Sequence, residues 1–417
     1  MSLGRQNNKS VAVIGAGIVG LCVAYSLKNA GYAVTVIDPE PPGSQCSYGN
    51  AGALSAGSVA PLAMPGILKQ TFSMMLDSTS PLHVPFYYWL KAVPWFMQFV
   101  VAAKEDRIPE IAHALNFLLS DSVSAHRELA ADVGCSQFIK DTGQLHLYPN
   151  EQALKKDAGS WALKASFGQR SEQVGPAEIR ALEPAVSAQY TAGMYLPEDT
   201  WVTQPYQYAQ ALATHLKRKG VPFVTARISG LARSNGGWRL TDGLWAAEYD
   251  HVVISAGMGS RQLLRTLGWK VPLEAQRGYH VQIPDPKVEL SRVVVLADRK
   301  VFINPMDGPL RIAGTVEFGS MDRPLNERRA LLLKDHALAG LQGLNTDDYS
   351  LWMGGRPCLP DSLPVIGQVP DAPGVWCAFG HGHLGLTGSV NTGRLLEKVM
   401  SGRADAKELT AFSVDRF

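Results

Sequence analysis

Six residues, Gly15-Ala16-Gly17-Ile18-Val19-Gly20, limit what this chain can fold into more than any others. They follow a β-branched run at 11–14 and open a helical pattern over 18–29, and a second strand at 33–37 ends on Asp38. Strand, glycine turn, helix, strand and acid in that order specify a βαβ unit built to hold a dinucleotide. Each glycine has its own task. Gly15 permits the tight turn, Gly17 lets a pyrophosphate approach the backbone, and Gly20 lets helix and strand pack closely. At Ile18 and Val19 the helix start turns free N–H groups and a favourable dipole toward the phosphates. Asp38 would accept hydrogen bonds from ribose hydroxyls and repel a 2′-phosphate, which disfavours NADP. A bare structural turn would explain the glycines but not the register of the acid.

The remaining 400 or so residues of a 417-residue chain are too many for one core, so two intertwined domains are expected. The net charge of +2, with no Lys/Arg run, excludes a nucleic-acid surface and points to a small-molecule substrate. Five scattered cysteines, with no CxxC pair, predict neither a disulfide framework nor a zinc site and fit a reducing cytosol. The apolar run at 11–21 has the glycine spacing of the dinucleotide turn rather than of an export signal.

Along the chain, 40–75 is rich in Gly, Ser, Ala and Pro, as suits backbone laid over a ligand. Helical patterns dominate 84–132, and a strand-like Gln144–Tyr148 follows. An amphipathic helix over 205–219 precedes short strands at 221–225, 237–241 and 250–255. Alternating segments between 270 and 318 predict an antiparallel sheet. The tail returns to a strand at 374–379, a glycine-rich turn and a helix over about 385–401. The stretch 84–103 is the most hydrophobic, but Lys91, Gln98 and two prolines argue against a membrane span there; a buried or capping helix and a peripheral docking helix are the two readings.

Three further glycine-rich places choose between NAD and FAD: Ser47-Tyr-Gly-Asn50-Ala-Gly52, Ser255-Ala256-Gly257, and Phe379-Gly-His-Gly-His-Leu-Gly-Leu-Thr-Gly388. Here the chain resembles, over essentially its full length, the D-amino-acid oxidase superfamily of flavoproteins, particularly the bacterial D-amino acid dehydrogenases and glycine oxidase. The resemblance implies FAD. It places Ser47, Asn50 and Gly52 in a loop against the flavin, Ile228 at the adenine, and Ala256 and Gly257 against the ADP part. It places Gly382, Leu384, Gly385 and Thr387 at the flavin pyrimidine, where a helix N-terminus would stabilise negative charge on the reduced ring. Non-covalent attachment is expected, because Cys358 lies nearer Asp361 than in relatives that link a cysteine to the flavin.

The same resemblance assigns Arg356, in Gly355-Arg-Pro-Cys-Leu-Pro-Asp361, to the substrate carboxylate, for which a planar guanidinium fork is suited. A structural ion pair from Arg356 to Asp361 is the alternative. Tyr279, in Arg277-Gly-Tyr-His280, either lines the pocket with a polar hydroxyl or is a core tyrosine satisfied elsewhere, and His280 alternates to the other strand face. Of His381 and His383, one is expected to pack near the flavin, and two histidines without companions do not make a metal site. No strong side-chain base stands out, as expected if hydride transfer needs position and a neutral amine.

The fold expected is α/β: a Rossmann-like FAD-binding domain (1–75, 200–268 and 355–417) with an inserted α+β, mostly antiparallel substrate-binding domain (76–199 and 269–354). The activity implied is oxidation of the Cα–N bond of a D-amino or cyclic imino acid, D-proline or hydroxy-D-proline being the specific guess. A quinone, an electron-transfer protein or O2 would take the electrons. The chain is expected in the cytoplasm, peripheral contact to the inner membrane being the alternative reading of 84–103. An N-methyl amino acid oxidase or demethylase, and a flavin subunit of a larger complex, are the rival readings.

Overall fold

The computed structural model describes residues 9–64 and 80–417. Its centre is a six-stranded sheet in the order Phe223–Val224, Ala33–Ile37, Ser10–Ile14, His251–Ile254, Val375–Phe379, Val365–Gln368. All neighbours are parallel except the last pair. Both faces are covered, so the strands are continuous apolar runs: Val11, Ala12 and Val13 are each 0% exposed. The helix Ile18–Asn29 packs between sheet and tail helix Ser389–Met400, where a Cβ on Gly393 would stand 2.5 Å from the Cys22 carbonyl oxygen.

A second, nine-stranded sheet runs Ser350–Cys358, Glu274–Ile283, Leu310–Phe318, Val301–Pro305, Val293–Leu296, Gln144–Tyr148, Ala192–Leu196, Glu172–Val174, with Leu82–His83 paired to Leu310–Phe318. It is antiparallel apart from two junctions, as the alternation over 270–318 predicts. One face buries Leu145, Val281, Ile312 and Leu333 of the helix Glu327–Gly340. The other faces the first sheet across a large cavity.

Three details differ from the sequence expectations. The strand Ser350–Cys358 runs across the boundary expected at 355. The helices Arg107–Leu119 and Ser122–Val133 share their core with the nucleotide sheet, since Leu115, Leu118 and Leu129 pack into the cluster that holds Val11 and Leu21. The tail helix begins at Ser389 rather than near 385, because Gly380 and Gly382 take positive φ values of 83° and 56° and the chain turns before it coils. The part of the 40–75 expectation at 65–75 lies outside the described residues.

Candidate active site

The cavity between the two sheets measures ≈ 1020 Å³. At one end, Gly15, Gly17, Ile18, Val19 and Asp38 form its floor, and Ile228 and Ala256–Gly257 form its flanks. Gly15 takes φ 113°, and a Cβ there would lie 2.3 Å from the Ser255 carbonyl oxygen. Gly20 stands behind the wall, where a Cβ would meet the Gly15 carbonyl oxygen at 2.0 Å; this is the close helix–strand packing the spacing predicts. Gly17 differs from both. A Cβ on it would find only Ser47 Oγ, at 3.6 Å, so the protein leaves that volume free.

Ser47 and Asn50 shape the floor from the side. Ser47 Oγ accepts from the Ile18 N–H at 2.9 Å, closing one open donor of the helix start. Asn50 Oδ1 accepts from the Gly52 N–H at 2.7 Å, and Gly52, with φ 91° and Val202 O close behind it, holds the loop in a shape no side chain allows. Arg311 donates to the carbonyls of Tyr48 and Asn50 and pins this loop to the second sheet. Asp38 accepts from the N–H groups of Ala16 at 2.6 Å and Glu40 at 2.8 Å, so it also ties the glycine turn to its own strand. Burial pushes its pKa up, opposed by these two bonds.

The floor is therefore backbone and glycine, with an acid at one end, a helix start in the middle and the turns of 380–388 at the other. That wall fits an extended dinucleotide such as FAD: open N–H donors for phosphate, a carboxylate for ribose, and free volume above Gly17. Gly382, Leu384, Gly385 and Thr387 line the far end, and Thr387 Oγ1 reaches Ala53 O at 3.4 Å.

Arg356 lies on the opposite wall. Its Nη1 donates to the Thr315 carbonyl at 3.0 Å, and no carboxylate among the described residues lies within ion-pair distance. Burial lowers its pKa, opposed by Cys358 and Cys46. The alternative pairing with Asp361 is excluded, because Asp361 accepts from Arg416 Nε at 2.7 Å.

Tyr279 and His381 both line the cavity with their polar atoms engaged by the fold. The Tyr279 hydroxyl donates to Glu317 Oε2 at 3.2 Å inside a buried group with Arg277, so only the ring, 1% exposed, backs the cavity wall. The His381 ring lines the cavity, but its Nε2 bonds Thr392 Oγ1 at 2.8 Å and fastens the glycine turn to the tail helix. Burial pushes His381 down to about 3 and His383 down to about 4, with Arg356 adding to the latter. Both rings are neutral at pH 7.

Several lining residues escaped the sequence reading. Gly278 leaves room for the Arg356 guanidinium, and the strand register shifts beside it. Thr315, across that bulge, takes φ 55°, which aims its carbonyl at Arg356. Trp352 stacks on His280 at 5.0 Å and packs against Gly49. A glycine inside an otherwise alternating strand, as at 278, was the one signal available.

The model of the family DAO, described as FAD dependent oxidoreductase, matches residues 10–398. A D-amino-acid oxidase of Bradyrhizobium diazoefficiens is 36% identical, with 98% of this chain and 99% of that protein covered. A D-amino acid dehydrogenase of Paramagnetospirillum magneticum is 30% identical over 98% of each. In fold, glycine oxidase from Geobacillus kaustophilus superposes with TM-score 0.76 at 22% identity, covering 98% of this chain and 99% of that one. With the glycine floor, the acid at 38 and the family model agreeing over the same residues, the chain belongs to the DAO family of FAD-dependent oxidoreductases.

Proposed function

We propose that this chain oxidises the Cα–N bond of a D-amino acid, with FAD held non-covalently on the floor and Arg356 as the carboxylate clamp. One observation carries the reading: Arg356 is a cation on the cavity wall with no carboxylate of its own, while Asp361, the obvious partner, is engaged by Arg416. A charge in such a place calls for an anion, and an amino acid always brings one. Bound there, FAD would supply a hydride acceptor at N5 for the substrate α-hydrogen.

The chain's part is orientation. Thr315 O and the gap over Gly278 fix the guanidinium, so a bidentate carboxylate would set the α-carbon at one height above the floor. His381 and His383 are neutral and Tyr279 is committed to Glu317, so the amine must arrive unprotonated. Non-covalent attachment is supported by Cys358, whose thiol burial pushes up to about 12 and so keeps it un-ionised. On this reading the described residues of 1–75, 200–268 and 355–417 form the FAD-binding domain, with 107–133 packed onto it and the strand Ser350–Cys358 crossing its border with the substrate domain. D-Proline and hydroxy-D-proline would use the part of the cavity at Arg356 and leave the part at Gln144 and Asp199 empty.

Peripheral membrane contact is supported by Trp89–Ala102. Its inner side buries Trp95 and Phe99, which line the cavity, and its outer side exposes Leu90 (90%), Met97 (65%) and Val101 beside Phe86. Among the described residues no helix is long and apolar enough to cross a membrane. Liposome co-sedimentation of wild type against Leu90→Glu/Met97→Glu tests that contact, and equal pelleting would reject it. The activity is tested by anaerobic mixing with D- and L-amino acids: D-isomers should bleach the flavin, and bleaching by L-isomers alone would reject the reading.

A further inference from the structure

The cavity does not end at Arg356. Past Ala313 and Phe302 it continues to a polar end walled by Ser55, Gln144, Lys164 and Asp199. Strand register builds this end. Ala53 and Leu54 pair antiparallel with Trp201 and Thr200, so the next position brings Ser55 opposite Asp199. Gln144 Nε2 donates to Ser55 Oγ at 2.8 Å. Asp199 takes hydrogen bonds from Ser55 and from Gln169, whose Nε2 lies 3.3 Å from Oδ1. Since the Ser55 hydrogen goes to Asp199, its oxygen accepts from Gln144, which fixes the orientation of that amide.

Two acceptors are left over. Gln144 Oε1 and Asp199 Oδ2 have no partner among the described residues, on side chains 0% and 2% exposed. Buried polar atoms are nearly always satisfied, so a donor belongs here. The charges around them narrow its chemistry. The Lys164 ammonium, held 4.4 Å over the Trp161 ring, acts on Asp199, and Lys300 and Asp157, paired at 3.9 Å, line the same end. With two carboxylates and two lysines already in balance, an added carboxylate would face Asp199 and Asp157, and an added cation would face the two lysines. A neutral group that both donates and accepts suits the set.

We propose that this polar end is the side-chain subsite of the substrate pocket and that it takes an amino acid bearing a carboxamide. The amide nitrogen donates to Asp199 Oδ2 and Gln144 Oε1, and the amide oxygen accepts from Lys164. The inference rests on the amino-acid oxidation proposed above. From Thr315, which holds the guanidinium, the strand carrying Gln144 is the third neighbour. At ~4.8 Å per strand that is about 14 Å across the sheet, and Gln144, level with Arg311, stands about 13 Å further along it, a separation that the longer side chain of glutamine suits better than that of asparagine.

The test uses the full-length, FAD-loaded protein and the second-order rate constant of anaerobic flavin reduction. D-Glutamine should exceed D-norleucine, D-glutamate and D-lysine by about tenfold or more. Asp199→Ala and Gln144→Met should each lower the ratio of D-glutamine to D-norleucine about tenfold. Gln144→Met nearly preserves volume and covers the case in which Asp199→Ala does not fold. Independently of turnover, glutaramate, which has a carboxylate and a carboxamide but no amine, should bind by calorimetry about tenfold more tightly than pentanoate. If D-norleucine, D-glutamate or D-lysine reduces the wild-type flavin as well as D-glutamine does, the subsite is wrong while D-amino acid oxidation stands. If no amino acid reduces it, both readings fall.

Discussion

The guanidinium of Arg356 occupies the space that a side chain on Gly278 would fill: a Cβ there would lie 2.4 Å from Cζ and 2.5 Å from Nη2. Glycine within a strand costs about 0.5–1 kcal/mol relative to alanine, and here that cost coincides with a close approach. Gly278→Ala should therefore displace the clamp without touching the floor. Catalytic efficiency should fall at least tenfold, about 1.4 kcal/mol, with flavin content near wild type. A Gly278→Ala enzyme of full efficiency would mean that the guanidinium need not stand where it does.

The two glycines of the turn make a second, paired expectation. Gly17→Val adds bulk where the protein has none, so the variant should fold yet purify with little FAD. Gly20→Ala drives a methyl into the Gly15 carbonyl oxygen at 2.0 Å, so it should fail to fold at all. Circular dichroism and the ratio of flavin to protein absorbance separate the two. Colourless, folded protein from both, or yellow protein from Gly17→Val, would contradict the distinct tasks assigned to them.

The nucleotide end of this site was legible in the sequence because its geometry is local: Gly15, Gly17, Gly20 and Asp38 lie within one βαβ unit whose spacing is set by helix and strand rise. Arg356 stands in a recognisable motif, but the Arg416–Asp361 pair, which occupies its nearest candidate carboxylate, joins residues 55 apart and leaves no local pattern. Which of the two readings of Tyr279 applies, and what His381 bonds, could not be read locally, since Glu317 and Thr392 approach from other elements. The start of the tail helix was misjudged because its apolar pattern extends into turns that Gly380 and Gly382 bend away. Gln144, Lys164 and Asp199 come together only through strand pairing, which no window of sequence reveals.

Buried histidines set an acid limit. Burial pushes His126 down to about 4, His381 to about 3, and, with Arg311 adding to it, His280 to about 3. Depressed values mean that the unfolded chain binds protons the native state refuses, so their stabilisation is full above about pH 6.5 and is lost as pH falls toward 3–4. Asp199, pushed up to about 7 by burial, opposes them with one proton: its contribution favours the native state at low pH and is lost as pH rises through 7. His383, pushed down to about 4, adds to the same side, so the histidines outnumber Asp199 and native stability falls as pH drops from 7 toward 5. Denaturant midpoints of the holoprotein at pH 7, 6 and 5 should drop progressively; a flat series would show that these rings are protonated in the native fold.

The most direct measurement is flavin reduction by a D-amino acid in Arg356→Met, made beside Arg356→Lys. With the carboxylate's counter-charge gone, efficiency should fall by about 3–5 kcal/mol in transition-state stabilisation, on the order of a hundred- to several-thousand-fold. Arg356→Lys, which keeps charge but loses the planar fork, should fall short of wild type as well. FAD content should stay near normal in both, because Arg356 pairs with no carboxylate of the fold. An Arg356→Met protein that keeps its FAD and is reduced at nearly the wild-type rate would contradict the carboxylate clamp.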